Sequence, residues 1–238
     1  ERPLGSPAGQ HELFDRRRSA GLLAATGDLV AIVEDRGWPR SDWARAMAQV
    51  FDHPSRPDIA GGAVVCAVEE AWSRAVCFCD FGRYQPPFAA GPATWITDIN
   101  VAYRREILAE TQEVWADRYH ETTLHWALQA RGKTFRLSPE PIVEQHRPDL
   151  RLGPLLAERF YWGRLFAWTR VRSVGLGRRL LHALTSPLLP FLLFGRQLVM
   201  QWRKREQLGP FLASSPRVFL LLCAWCLGEA AGYLGSRP

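Results

Sequence analysis

The chain has 238 residues, enough for one domain with a good core or for a domain with an appendage. It is 47% hydrophobic and 23% charged, which excludes intrinsic disorder. The formal net charge of +6 is mostly arginine, much of it beyond residue 146. A basic half beside apolar runs points to anionic lipid headgroups or an anionic substrate. Nucleic acid is not expected as a partner, because no helix-turn-helix, zinc-finger or RNA-binding signature is present.

In chain order, residues 1–11 are rich in proline and glycine and read as loop. Leu13 to Thr26 reads as a helix that Gly27 ends. Leu29 to Val33 is β-branched and apolar, a buried strand. That strand runs into Glu34 and Asp35 before Gly37, Trp38 and Pro39 turn the chain. Carboxylates at the carboxyl end of a buried α/β strand lie where such folds bind ligands. Two adjacent acids there suit a hard divalent cation carrying phosphate oxygens. A solvated acidic turn accounts for them equally well.

Ser41 caps a helix through Phe51, with Trp43, Met47 and Val50 on one face. Ile59 to Val68 reads as a strand broken by Gly61 and Gly62, and residues 80–93 read as loop. Ile99 to Tyr103 is a short strand, Arg105 to Gln112 a helix, and Glu121 to Ala130 a helix ending at Arg131-Gly132. Lys133 to Leu137 is strand-like, and Ile142 to Gln145 is extended after two prolines. This alternation predicts an α/β layered domain over residues 1–150.

Residues 151–238 differ. Phe160 to Arg172 interleaves aromatic residues with Arg164, Arg170 and Arg172, a pattern for an amphipathic helix at a headgroup layer. Two apolar segments follow, Leu180 to Trp202, interrupted by Pro187, Pro190 and Arg196, and Val218 to Leu234, which contains Glu229. Arg178-Arg179 and Arg203-Lys204-Arg205 flank the first, so both ends prefer the cytoplasmic side. Re-entrant or interfacial helices are therefore expected over two clean spans; a core helix pair is the soluble alternative. The five cysteines, Cys66, Cys77, Cys79, Cys223 and Cys226, form no regular framework, which argues against a secreted disulfide scaffold. Cys77/Cys79 and Cys223/Cys226 have zinc-pair spacings, but the second pair lies in an apolar run, and zinc is not expected.

Arg18-Ser19-Ala20-Gly21 through Ala24-Ala25-Thr26-Gly27-Asp28 resembles the R-x-x-G…A-x-G-D segment of family 2 glycosyltransferases. In the same order come Val30 to Arg36, the strand that delivers metal-binding acids; Pro39…Trp43; Ile59 to Val64; Asp98 to Arg105, like G-x-N-v-a-y-R-r; His120-Glu121-Thr122-Thr123-Leu124…Arg131-Gly132, like E-D-x-x-L…x-x-G; and Val143 to His146, like v-x-H. The resemblance covers roughly residues 15–150 and implies a GT-A-like (Rossmann-like) mixed sheet flanked by helices, followed by membrane-associated helices.

The resemblance implies an inverting, membrane-associated transferase on the cytoplasmic face, within polysaccharide biosynthesis. It moves a sugar from a nucleotide-diphosphate donor to a lipid- or glycan-linked acceptor. A divalent cation, Mn²⁺ or Mg²⁺, neutralises the leaving diphosphate, and a carboxylate takes the acceptor's proton. Glu34, Asp35 and His146 are the implied metal and diphosphate ligands, with Arg36 beside them. Glu121 is the implied base, Asp117 the fallback. Asn100, Asp98 and Arg104 are the acceptor-side pocket, although Arg104-Arg105 reads equally as a solvated face. A carboxylate at a helix N-terminus, as at Glu121, should be held ionised.

Three departures qualify the pattern. Arg36 stands where the family has a third polar ligand, and guanidinium cannot ligate a metal, so weaker metal dependence is expected. His120-Glu121 replaces an acidic pair. The strand–helix–strand that holds the nucleotide's base and ribose has no counterpart before Arg18, so a domain truncated at its N-terminus is expected. The alternative to an active enzyme is a non-catalytic, membrane-tethered relic or fragment of one.

Overall fold

The computed structural model describes residues 7–171 and 175–235. These fall into two compact units: the chain up to Ala67 with Tyr84–His146, and Val68–Arg83 with the chain from Arg147 onward. The second crossing lies close to the boundary expected at 150. Residues 68–83, expected within the first domain, belong with the C-terminal unit.

The first unit is mixed α/β. Helix α1 (Pro7–Ala24) starts earlier than expected: residues 7–11 are helical, and residues 1–6 lie outside the described residues. Strand β1 (Leu29–Val33) matches its expected bounds. After β2 (Gly37–Pro39), α2 (Trp43–Phe51) has Asp42 rather than Ser41 at its N-cap, and Asp42 makes no side-chain cap. Strand β3 spans Ile59–Cys66, and Gly61 and Gly62 do not break it. They admit close neighbours instead: a Cβ at Gly61 would run into Ile96, and one at Gly62 into the Pro141 carbonyl and the Asn100 amide.

Then come β4 (Gly91–Ala93) and β5 (Asn100–Arg104). The helix expected from Arg105 to Gln112 is divided into α4 (Arg105–Ala109) and α5 (Gln112–Trp115). The break has a local cause. Thr111 Oγ1 donates to the Ile107 carbonyl (2.8 Å) and Trp115 Nε1 to that of Leu108 (3.0 Å), satisfying acceptors that a continuing helix would have used. Helix α6 is Glu121–Ala130, as expected. The two extended pieces expected next form one long strand, β6 (Phe135–Gln145). It pairs in parallel with β3, and a register shift between Gly61 and Ala63 carries the pairing from Leu137 to Ile142, past Pro139 and Pro141, which lack donors.

The sheet is mixed, with order β1-β5-β3-β6-β2; β4 also pairs with β6. Its core holds Ile59, Ile96, Val101, Tyr103, Tyr119, Leu124 and Leu128, all buried. The β1–β5 register is antiparallel and sets Val33 opposite Asn100. The carboxyl end of β1 therefore lies beside the entry to β5, which positions the site described below.

The second unit is helical. Helix α3 (Ala71–Phe81) was not anticipated. It is followed after Arg147 by α7 (Leu152–Val171), α8 (Leu176–Thr185), a 3₁₀ turn (Ser186–Leu188), α9 (Leu189–Lys204) and α10 (Leu208–Leu234). Helices α7 and α10 pack at very close range. A Cβ at Gly163 would strike the Trp225 carbonyl, one at Gly228 the Phe160 carbonyl, and one at Gly232 the Arg164 backbone and Ala167. Gly228 and Gly232 stand four apart, as do Gly163 and Ala167, the small-residue spacing that lets helix backbones approach in apolar surroundings. Arg159, 2% exposed on α7, meets Asp80 of α3 in a two-pronged ion pair, with Nη2 to Oδ2 at 2.7 Å.

Leu176–Lys204 and Leu208–Leu234 are long and apolar enough to cross a membrane. Along the first, Leu176, Leu180, Leu184, Leu188 and Phe191 form an exposed row at helical spacing, while Ala183 and Ser186 are buried. The interfacial pattern expected for Phe160–Arg172 falls on α7, whose buried face is committed to α10; Arg172 itself lies outside the described residues.

Candidate functional site

Glu34 follows β1 directly, and a tight turn closes when Gly37 N donates to Glu34 O at 2.9 Å. Asp98 lies in the turn that opens β5, where Asn100 N donates to Thr97 O at 3.2 Å. The β1–β5 register makes these two turns neighbours. Arg18 of α1 reaches across them: Nη2 lies 2.9 Å from Glu34 Oε1, and Nη1 lies 2.9 Å from Asp98 Oδ2. Its position is fixed by α1 docking. Buried Ser19 Oγ donates to Trp115 O (2.7 Å), and Tyr119 N donates to Asp15 O (3.2 Å).

Glu121 opens α6 beside Asp98. Its carboxylate accepts hydrogen bonds from the Trp95 side chain and the Asp98 backbone N–H. Both bonds favour the anion, as does Arg18. Burial nevertheless dominates, joined by the charge of Asp98, and the Glu121 carboxyl titrates well above its ordinary value. The expectation that the helix N-terminus keeps this group readily ionised is thus outweighed by desolvation. Burial opposes the charge on Arg18, but Asp98 first and then Glu34 more than compensate, so its pKa is raised. The side chains of Arg18, Asp98 and Glu121 are each about one-fifth exposed and that of Glu34 slightly more, so the cluster opens to solvent.

Behind Glu121 lies a buried polar chain. His125 Nε2 is 2.9 Å from Tyr103 OH, which is 2.8 Å from Tyr119 OH. His125 Nδ1 lies 3.9 Å from Glu121 Oε1 and makes no hydrogen bond among the described residues. Burial drives the His125 pKa down to about 4, against the pull of Asp98, so the ring is neutral at ordinary pH. Burial likewise raises both tyrosines.

The remaining expected site residues are dispersed. Asp35 and Arg36 are exposed in the turn after β1. His146 joins that turn through its backbone, N donating to Arg36 O at 2.8 Å, and its ring stacks on Trp38 at 3.8 Å. Its Nε2 is buried 3.8 Å from Glu144 Oε2. Asn100 is fully buried. Its amide donates to Ala63 O (2.8 Å) and Pro141 O (2.9 Å), and its oxygen accepts from Trp43 Nε1 (2.9 Å). It pins β3, β5, β6 and α2 together, with both amide N–H groups donated and its oxygen buried against Trp43. Arg104, at the other end of β5, clamps the Phe51 and Pro57 carbonyls at 3.0 Å each. Asp117 is 81% exposed and pairs with Arg118 at 3.5 Å and Arg16 at 3.8 Å, outside the cluster.

The structure therefore brings together Glu34, Asp98 and Glu121 of the expected set and adds Arg18, Trp95 and the His125–Tyr103–Tyr119 chain. Tyr103 stood in the Asp98–Arg105 segment, whereas nothing local distinguishes Tyr119 or His125. Among the described residues, no group of three or more His, Cys, Asp and Glu side chains converges as a metal seat. No family model and no curated protein matches the chain.

The raised Glu121 carboxyl sets a pH signature. The folded chain holds a proton there that the unfolded chain has released, over the window from about pH 4.3 up to the raised value. Stability from this group is therefore present at low pH and lost as pH rises through that window. Glu121→Gln keeps the acceptor for Trp95 and removes the buried charge. It should melt above the wild type at pH 8, with the gain vanishing near pH 4; a gain independent of pH would contradict the assignment.

Proposed function

We propose that the chain is an inverting glycosyltransferase using a nucleotide-diphosphate sugar and a lipid- or glycan-linked hydroxyl acceptor. The observation that carries the reading is the carboxyl of Glu121, on a side chain one-fifth exposed and oriented by Trp95 and Asp98 in the same cluster as Glu34 at the end of β1. A general base works best with a pKa near the operating pH, and burial moves Glu121 in that direction. In the proposed step, Glu121 takes the acceptor hydroxyl's proton as its oxygen attacks the anomeric carbon. The bond from that carbon to the diphosphate oxygen breaks, and the electron pair leaves with the nucleoside diphosphate. Exposed Arg36, beside Glu34, is the residue for the departing diphosphate, where a guanidinium meets phosphate in bidentate fashion.

The implied Mn²⁺ or Mg²⁺ does not fit the described residues as they stand. Glu34 is held by Arg18, His146 presents a buried nitrogen, and Asp35 alone of the expected ligands is exposed. The same ion pairs favour the second reading, a non-catalytic membrane-tethered relic. Release of UDP or GDP from their sugar conjugates, measured on the chain in detergent, separates the two. For an enzyme, Glu121→Gln should lower kcat by about 100-fold or more with little change in KM. The acid limb of the pH profile should lie above the ordinary carboxylate range. Absence of both turnover and nucleotide binding would leave the relic.

We also propose that the protein is membrane-associated on the cytoplasmic face. Support comes from the exposed apolar row of α8 to α9 and the arginines at 178, 196, 203 and 205 that accompany it. Replacing Leu180, Leu184 and Leu188 by Glu should lower retention on phosphatidylserine vesicles by about tenfold or more, since each buried leucine contributes about 1.5–3 kcal/mol. Undiminished retention would remove α8 as the anchoring element.

A further inference from the structure

We infer that Arg18 is the built-in cation of this site: its guanidinium occupies the position between Glu34 and Asp98 that a divalent cation would otherwise take. The inference deepens the proposed transferase, yet it concerns the chain itself and is read without turnover.

Three observations carry it. The first is geometric. Two different nitrogens of one guanidinium reach two carboxylates that come from separate turns, each at 2.9 Å. The β1–β5 register, set by backbone pairing, brings those turns side by side. The second is electrostatic. Glu121 and Asp15 lie close enough to act on the same neighbourhood, and Asp98 raises the Glu121 carboxyl while Arg18 lowers it. Acids concentrated at one partly buried point are relieved by protonation, as at Glu121, or by a positive charge, which Arg18 supplies to Glu34 and Asp98. The third is the state of the remaining donors. His146 Nε2 is buried beside Glu144, and the buried Asn100 amide bonds Ala63, Pro141 and Trp43, so both are held by other neighbours than Glu34.

A hard divalent cation needs several oxygens at 2.0–2.6 Å. Glu34 and Asp98 can furnish two of these only if the guanidinium leaves, because two cations cannot share the space. Exposed ion pairs are worth little, but this arginine makes two charge-assisted contacts and is four-fifths buried. Its ring contact, with the guanidinium carbon 5.9 Å from the centre of Tyr119, further fixes its place. The arrangement gives the cluster a permanent counter-charge that does not vary with the free metal concentration.

The test is Mn²⁺ titration of the full chain in detergent, followed by the electron paramagnetic resonance signal of free Mn²⁺. The wild type should show no saturable site that depends on Asp98. Arg18→Gln, folded by circular dichroism, should gain about tenfold or more in Mn²⁺ affinity, and adding Asp98→Asn should abolish the gain. Arg18→Lys, which keeps one positive charge between the acids, should stay near the wild type. A wild-type Mn²⁺ site lost in Asp98→Asn, or a folded Arg18→Gln with no gain, would overturn the inference. If Arg18→Gln does not fold, the wild type and Asp98→Asn decide it alone: a wild-type site lost in Asp98→Asn overturns it, and none supports it. A chain that turns over no sugar nucleotide yet gains the site in Arg18→Gln would fail the transferase reading and keep this one. Turnover with an Asp98-dependent wild-type Mn²⁺ site would do the reverse.

Discussion

The double ion pair of Arg18 with Glu34 and Asp98 depends on three long-range placements at once. Helix α1 must dock through Ser19 on Trp115; β1 must end opposite the start of β5; and the turn at Asp98 must face α1. Once these hold, Asp98 also stands beside the first turn of α6, and the chemistry of Glu121 follows. Its carboxyl is raised because it is buried next to a second acid, and the rise is limited by the same arginine that binds that acid. One guanidinium thereby couples a helix, two sheet turns and the candidate base.

Around this point, polar groups are buried but mostly partnered. Tyr103, Tyr119 and His125 pass hydrogen bonds to each other within the core, and the Asn100 amide bonds three neighbours. Such groups are costly when unpaired, so each fixes its surroundings. Among the described residues, His125 Nδ1 faces Glu121 without a hydrogen bond. In the helical unit the same economy appears in another form. Glycines let α7 and α10 approach closely, and Arg159 is matched by Asp80.

Elements set by local patterns were legible in the sequence. Strand β1 and helix α6 fall where apolar periodicity and a helix-ending Arg-Gly place them. Glu34, Asp98 and Glu121 stood in recognisable segments, but the pairing of Arg18 with two of them did not, because it arises from register and helix docking rather than spacing. Helix α3 has no side-chain cap, and its buried face is made by contacts with α10 far along the chain, so no local signal marks it. Strand β6 was read as two pieces because its prolines suggest a break, which the shift in β3 absorbs. The Gly228–Gly232 spacing was visible but acquires meaning only once Phe160 and Arg164 are seen against it.

The organisation of the site requires Arg18 and Asp98 to act as one unit. A double-mutant cycle with Arg18→Met and Asp98→Asn, measured by denaturant unfolding at pH 7, tests this directly. A partly buried, charge-assisted pair predicts a coupling of about 1.5 kcal/mol or more, with Arg18→Met less harmful once Asp98 is neutral. A coupling below about 0.5 kcal/mol, the range of independent sites, would contradict the claim that this ion pair organises the site.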